Sequence, residues 1–288
     1  MTSEFLPANN RWRSREQIIK AVETLPPLPA VAMRVMQVAQ DPNSSAADLA
    51  VVVSSDPGLS ARVLRVANSA AYRRQRDITS VQEALVMLGF LQARNIAISS
   101  AITGAYAPDA LNVLFRIKEF WRHSMAVAFR ASDLAGHSRR LDVPSAFTAG
   151  ILHNMGRLAM FYADPAGVDQ AVAEAIVQDV PLEAVERGLL GYDHAEIGGL
   201  LAEKWKLPLA IQEAIQQHHH DDHSAITIAG VVAAADRFAT AHGILPGYII
   251  PGAPTAEPDS EEFRRLMKQV DSLMQLVGGE LVGVRVAS

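Results

Sequence analysis

Apolar residues recur at helical spacing along almost the whole chain, and this periodicity constrains the fold more than any other feature. Leu59, Val63 and Ala67 share one such helix face, and Asp56 followed by Pro57 precedes them. Asp accepts hydrogen bonds from the free amides of a first turn, and Pro is tolerated in that turn, so this pair predicts a helix start. Alternating strand patterns are not convincing anywhere in the first 100 residues. The sequence therefore predicts an all-α fold.

We expect one continuous domain in two lobes. Residues 1–14 are a tail, 15–110 an N-terminal helical lobe, 111–245 a helical bundle, and 246–288 a Pro/Gly-rich loop followed by a C-terminal helix. Proline residues that follow Leu25 separate the first two helices, because Pro lacks an amide proton and restricts the residue before it. Residues 281–286 predict either a short strand or an ordered tail.

Composition places the chain among ordinary soluble proteins. Its 288 residues are 49% apolar and 20% charged, which suits a sizeable core. The absence of cysteine excludes disulfides, thiolate metal sites and a cysteine nucleophile. No apolar run approaches the roughly 20 residues of a membrane span. The N-terminus lacks the basic-then-apolar order of a secretory signal. We therefore expect a cytoplasmic protein without a membrane partner.

Charge is unevenly distributed along the chain. The first 100 residues hold 11 lysines and arginines against 8 acidic residues, whereas the whole chain has a net charge of −5. The arginines that could contact an anion or a partner are Arg62, Arg65, Arg73, Arg74 and Arg76. A solvated basic face is the more common explanation of such arginines. This balance is far from that of a dedicated nucleic-acid domain, so binding of nucleic acid is not favoured.

A series of histidines, an asparagine and an aspartate suggests a metal site. Its members are His123, His153, Asn154, His194, His218, His219 and Asp236. Imidazole and carboxylate suit divalent iron, manganese, zinc or nickel. A lone histidine near an apolar face is usually a hydrogen-bonded core residue. The series as a whole favours a site assembled from several helices. His153 and Asn154 fall within a segment, 145–162, that predicts one continuous helix.

Several motifs resemble those of one family, the HDOD domain, an HD-related output domain of bacterial signalling proteins. They are the segments 25–29, 54–70, 78–85, 120–124, 153–154 and 194–198, together with 205–208. The resemblance extends over roughly residues 15–240. It implies that the second lobe is an HD-like helical bundle, as in the superfamily of metal-dependent phosphohydrolases.

The resemblance also implies roles for the residues of the series. His123, His153, Asn154 and Asp236 correspond to the core metal positions of the HD superfamily. His194, His218 and His219 correspond to positions that bind a second metal in the branch that hydrolyses cyclic dinucleotides. Asn154 stands where the family has a metal-bridging Asp, and the Gly-Tyr-Pro tripeptide of the hydrolase branch is absent. A neutral amide compensates the repulsion of two cations less than a carboxylate does, and it weakens activation of water.

The sequence therefore predicts a signal-transduction module that acts by contact with a signalling protein or a small ligand such as a nucleotide, with a degenerate metal pocket and no catalysis. A divalent metal, Fe, Mn, Zn or Ni, is the cofactor to consider. One alternative is a metal-dependent phosphohydrolase acting on a nucleotide or cyclic nucleotide. A second alternative is a nucleic-acid-binding regulator, which the basic N-terminal residues suggest.

Overall fold

The computed structural model of the chain describes residues 14–69, 72, 77–105, 116–220, 226–248 and 260–281. Every regular element in these ranges is a helix, which confirms the predicted all-α fold. The division into two lobes and its boundaries remain predictions. The tail at 1–13 and the segment 282–286 lie outside the described residues.

The N-terminal part contains α1 (Arg15–Thr24), α2 (Ala30–Gln40), α3 (Ala46–Ser54), α4 (Pro57–Ala67), α5 (Val81–Leu88) and α6 (Phe90–Ala105). The following part contains α7 (Ile117–Gly136), α8 (Val143–Leu152), α9 (Met155–Ala163), α10 (Pro165–Gln178), α11 (Leu182–Leu190), α12 (His194–Lys204), α13 (Leu209–Gln217), α14 (Ile228–Ala241) and α15 (Glu261–Leu281).

Local sequence signals explain where many of these helices begin. Ser14 accepts a hydrogen bond from the amide of Gln17, whose side chain returns one to Ser14, so the predicted capping box of α1 is present. The Asp56 carboxylate caps α4 by accepting from the amide of Leu59 at 2.7 Å. These side chains satisfy amides that the helices themselves leave unpaired.

The prediction of one helix over 145–162 is wrong, because the chain turns at His153 and Asn154. The helix before the turn begins at Val143, where Asp142 caps it. Asn154 has φ −96° and ψ 9°, outside the α-helical region, and α9 starts at the next residue. The turn places His153 and Asn154 at the junction of two helices rather than on the flank of one.

Close helix contacts at two glycines bring the parts of the bundle together. A Cβ atom on Gly150 would lie 2.6 Å from the Ala128 Cα atom, so α8 crosses α7 without room for a side chain. A Cβ atom on Gly156 would lie 1.9 Å from the carbonyl oxygen of His194 and 2.4 Å from the amide nitrogen of Gly198. The first crossing brings His153 towards α7, and the second holds α9 against α12.

Helix α1 is attached to α12. The Lys204 Nζ atom donates to the carbonyl oxygens of Val22, Glu23 and Leu25 at 3.0, 2.6 and 2.8 Å, which satisfies acceptors at the C-terminal end of α1. At the other end of α1, Arg15 forms an ion pair with Glu196 at 2.6 Å. α1 therefore packs on the helices that carry the histidine series.

Helices α5 and α6 form a sharply bent pair joined at Gly89, whose φ of +78° suits glycine. No single helix among the described residues has the length and apolarity of a membrane span. Within the described ranges, one pair of helices reaches that length and apolarity together, namely α5 with residues 90–103 of α6, and the pair is bent by 119°.

Replacing Gly156 with Ala tests the contact between α9 and α12. The added methyl group would overlap backbone atoms that cannot move independently, so we expect Gly156→Ala to lower the free energy of unfolding by more than about 3 kcal/mol. Gly188→Ala is the matched control, since its Cβ would meet nothing within 4 Å. In exposed helix this control should raise stability by about 0.5–1 kcal/mol. Urea unfolding of both variants measures the difference, and equal effects would contradict the assigned contact.

Candidate metal centre

Asp236 and two imidazoles form the first of two clusters, here called the first cluster. Asp236 lies on α14, His123 on α7 and His153 at the C-terminal end of α8. The Nε2 atoms of His123 and His153 lie 3.0 and 3.9 Å from the Asp236 Oδ1 atom. All three ligand atoms lie within 4.8 Å of one another. Three helices far apart in sequence therefore converge on one point.

Backbone carbonyls orient the imidazoles of this region. His123 Nδ1 lies 2.7 Å from the carbonyl oxygen of Ile244, and His153 Nδ1 lies 2.7 Å from that of Gly150. His218 Nδ1 makes the same contact with Ile215 at 2.6 Å. Because a carbonyl can only accept, each Nδ1 must carry a proton, and the Nε2 atom of any ring that is neutral then has a free lone pair. Such outer hydrogen bonds are typical of metal-ligating histidines.

Four buried acceptor atoms in this region have no hydrogen-bond partner. They are the Nε2 atoms of His123, His153 and His218 and the Oδ1 atom of Asn154. Leaving a buried polar atom unpaired costs about 1–3 kcal/mol. Converging nitrogen lone pairs beside a carboxylate match the ligand preference of borderline divalent metals. The residues therefore fit one metal ion, which His123, His153 and Asp236 would hold.

His194, His218 and His219 form the second cluster, and their ligand atoms also lie within 4.8 Å of one another. The His194 and His218 ring centroids are 5.4 Å apart, and those of His153 and His218 are 5.0 Å apart, so His218 adjoins both clusters. The structure thus brings together all of the histidines that the sequence singled out, with Asn154 at the start of α9 beside His153.

Two buried charged residues, Glu186 and Arg157, also belong to the site, and neither was predicted from the sequence. The Glu186 Oε2 atom lies 2.5 Å from His194 Nδ1 and 3.0 Å from the His194 amide nitrogen. Arg157 Nη2 lies 3.2 Å from His194 Nε2. Glu186 shares the apolar face of α11 with Leu182, so its helical spacing was the available signal.

Burial controls the protonation of the centre. It lowers the pKa values of His153 and His194 well below the usual imidazole range, with neighbouring charges adding to the effect, and it lowers those of His218 and His219 as well. These rings are therefore neutral at pH 7 and able to ligate. Burial opposes ionisation of Asp236, but its contact with His123 outweighs burial and lowers the pKa of Asp236.

Glu186 behaves differently from Asp236. Burial raises the pKa of Glu186 to about 7, although the charge of Arg157 and the amide of His194 oppose this rise. Its carboxyl group is nonetheless placed to accept the Nδ1 proton of His194, which fixes the ring with Nε2 facing the cluster.

Two of the arginines expected to contact an anion, Arg62 and Arg65, lie on α4, away from the two clusters. Arg62 donates from Nη1 to the carbonyl oxygen of Ser100 at 3.2 Å, and Arg65 is exposed. Arg73, Arg74 and Arg76 lie outside the described residues. Their role as an anion or partner contact remains a prediction.

A family model described as the HDOD domain matches residues 25–221, well over half of the chain. The chain belongs to the HDOD family. The HDOD match contains all five histidines of the two clusters and Asn154, whereas Asp236 on α14 lies beyond its end.

Solved structures agree with this assignment. The HDOD domain protein of Geobacter sulfurreducens is 23% identical, with a TM-score of 0.67 and coverage of 94% of this chain and 99% of that one. A protein of Shewanella amazonensis SB2B with the provisional name phosphohydrolase is 28% identical, with a TM-score of 0.68 and coverage of 91% and 98%. A protein of Marinobacter aquaeolei VT8, provisionally named for signal transduction, is 24% identical, with a TM-score of 0.72 and coverage of 92% and 65%.

Curated relatives are longer proteins. An uncharacterized protein of Treponema pallidum is 23% identical over 212 residues, which are 72% of this HDOD chain and 40% of that protein. Ribonuclease Y of Bacillus subtilis is 30% identical over 168 residues, which are 56% of this chain and 25% of that enzyme. The chain therefore spans less than half the length of these two relatives.

The neutral histidines predict an acid-sensitive fold. The folded protein binds protons at these rings less readily than the unfolded chain, so stability is fully present above the unfolded pKa of about 6.5 and is lost as the pH falls below it. Each such ring contributes a slope of up to about 1.4 kcal/mol per pH unit. Metal-free protein in chelator should therefore lose stability in urea unfolding between about pH 6.5 and 5. The His153→Gln variant should show a shallower slope, and an unchanged slope would contradict the buried neutral ring.

Proposed function

We propose that this HDOD chain is a signal-transduction module that acts by contact with a signalling protein or a small ligand such as a nucleotide. Its imidazole centre holds one divalent metal ion, Fe, Mn, Zn or Ni, for structure or sensing and does not catalyse a reaction. The observation that carries the proposal is the burial of the ligand atoms.

The centre is closed to solvent on most sides. His123, His153 and His194 are 0% exposed, and Asn154 is 2% exposed. The side chains of Asp236 and His219 are 16% and 17% exposed, which leaves narrow access. A metal ion needs only this access, whereas hydrolysis requires a phosphate ester and a water molecule to reach the ion together.

A cavity of about 790 Å³ lies apart from this centre, between α6, α7 and α15. Its lining includes Gln92 on α6, Phe129 and Arg130 on α7, and Glu262 and Leu266 on α15. Its size suits a small ligand. Since α7 also carries His123, a ligand in this cavity would contact the same helix that positions a residue of the metal centre.

Asn154 supports the absence of catalysis. Its Oδ1 atom is buried without a partner, at the place where the HD resemblance implies a bridging carboxylate. A metal ion bound nearby would supply a fixed positive charge to the centre. The neutral amide oxygen would offset that charge less than a carboxylate, so the centre is suited to one cation rather than a catalytic pair.

The alternative function is a metal-dependent phosphohydrolase. Support comes from the unpaired imidazole nitrogens beside Asp236. It also comes from relatives, because one Shewanella neighbour is provisionally named a phosphohydrolase and Ribonuclease Y is named for RNA cleavage. The same Ribonuclease Y match is the main support for the second alternative, a nucleic-acid-binding regulator.

A phosphodiesterase assay separates the proposal from the hydrolase alternative. Untagged chain loaded with Mn²⁺ or Fe²⁺ is expected to cleave neither bis(p-nitrophenyl) phosphate nor a cyclic dinucleotide above the metal blank, because the bridging charge is missing. Asn154→Asp should bind the metal about tenfold more tightly by adding an anionic oxygen. Asn95→Asp is the matched control, since Asn95 is a buried amide that accepts from Arg94 instead. Native turnover that EDTA and His153→Gln both abolish would establish the hydrolase instead.

A further inference from the structure

Arg157 is a buried cation that reaches the second cluster from α9. It is 3% exposed, and its Nη1 atom donates to the carbonyl oxygen of Pro246 at 2.9 Å. Its Nη2 atom lies 3.2 Å from His194 Nε2, and its Nε atom is buried without a partner. The guanidinium also lies over the ring of Tyr248, 5.7 Å from its centroid. Both of these hydrogen-bond acceptors are neutral, and its charge also acts on the carboxyl groups of Glu186 and Glu183.

The contacts of His194 fix the direction of this hydrogen bond. An arginine side chain can only donate, so His194 Nε2 accepts and the ring proton resides on Nδ1, next to Glu186. His219 Nε2 also lies 2.7 Å from His194 Nε2 and can donate to the same lone pair. The atom of His194 that would ligate a metal is therefore already engaged by protein groups.

The two clusters differ in whether protein groups already occupy the imidazole nitrogens that would ligate a metal. In the first cluster, His123 and His153 present unpaired Nε2 atoms to the Asp236 carboxylate. In the second cluster, His194 receives hydrogen bonds, and the carboxyl group of Glu186 lies behind its ring at Nδ1 rather than among the ligand atoms. The second cluster already has a positive charge, that of Arg157.

We propose that Arg157 takes the place of a second metal ion: its guanidinium closes the second cluster by donating to His194, so that the chain binds a single cation, in the first cluster. Two like charges a few ångströms apart in a buried site repel strongly, so a divalent ion at His194 would have to displace Arg157. This inference rests on the proposed metal centre. It explains why the five imidazoles and one carboxylate of the two clusters would bind one metal ion rather than two.

Metal stoichiometry tests this inference. Untagged chain is titrated with Co²⁺, and binding is followed by calorimetry, by the visible absorption of the ion and by elemental analysis after dialysis. Native chain should bind one equivalent. Arg157→Met removes the charge and the donor but keeps a similar stem, and it should take up a second equivalent at least about tenfold more tightly than native chain does. Arg157→Lys keeps the charge and should still bind one equivalent.

His219→Gln provides a second readout, both alone and combined with Arg157→Met. Its side chain is partly exposed, and it should leave the affinity for the first equivalent unchanged within about twofold. It should abolish only the second equivalent gained by Arg157→Met. His153→Gln should abolish the first.

Three results would overturn the role of Arg157: two equivalents in native chain, a single equivalent in folded Arg157→Met, or loss of the first equivalent in His219→Gln. If native chain binds no metal but Arg157→Met binds one that His219→Gln removes, the proposed metal centre fails while the role of Arg157 stands. Absence of metal from all folded variants would refute both.

Discussion

Electron-rich atoms converge at the centre of this bundle, and their mutual repulsion must be relieved. His123 Nε2 lies 3.0 Å from the Asp236 carboxylate, while its Nδ1 proton is committed to the Ile244 carbonyl. His153 is held in the same way. A lone pair facing a carboxylate at this distance is unfavourable unless a cation or a proton lies between them. Because backbone atoms hold the rings, and glycine contacts hold the helices, the arrangement cannot simply open.

The two clusters differ in charge because of two residues, Asn154 and Arg157. Asn154 withholds the negative charge that the HD resemblance implies, and Arg157 adds a positive charge beside His194. Asn154 lies in the turn that precedes α9, and Arg157 lies in the first turn of α9. In our proposal, these two residues together limit the site to one cation. In the function that we propose, this centre would serve as a metal-responsive core for signalling.

Helical periodicity and capping residues were sufficient to predict the all-α fold and helix starts such as Asp56, because these depend on neighbours in sequence. The series of histidines indicated a site built from several helices, and the family resemblance then implied a metal position for each of its residues. The break after Leu152 was missed, because apolar spacing continues through His153 and the turn is imposed by packing of α8 on α7 and α9 on α12. Glu186 and Arg157 were missed since a charged residue is expected at the surface, and only tertiary contacts show that both are buried against His194.

X-ray absorption spectroscopy of the metal-loaded native chain tests the central claim most directly, because it reports the neighbours of the ion itself. The account predicts a single shell of nitrogen and oxygen ligands with at least two imidazoles, arising from His123, His153 and Asp236, and no metal–metal distance. Scattering from a second metal at about 3.5–4 Å, the spacing of two-metal hydrolytic sites, would contradict it. So would an ion without imidazole ligands.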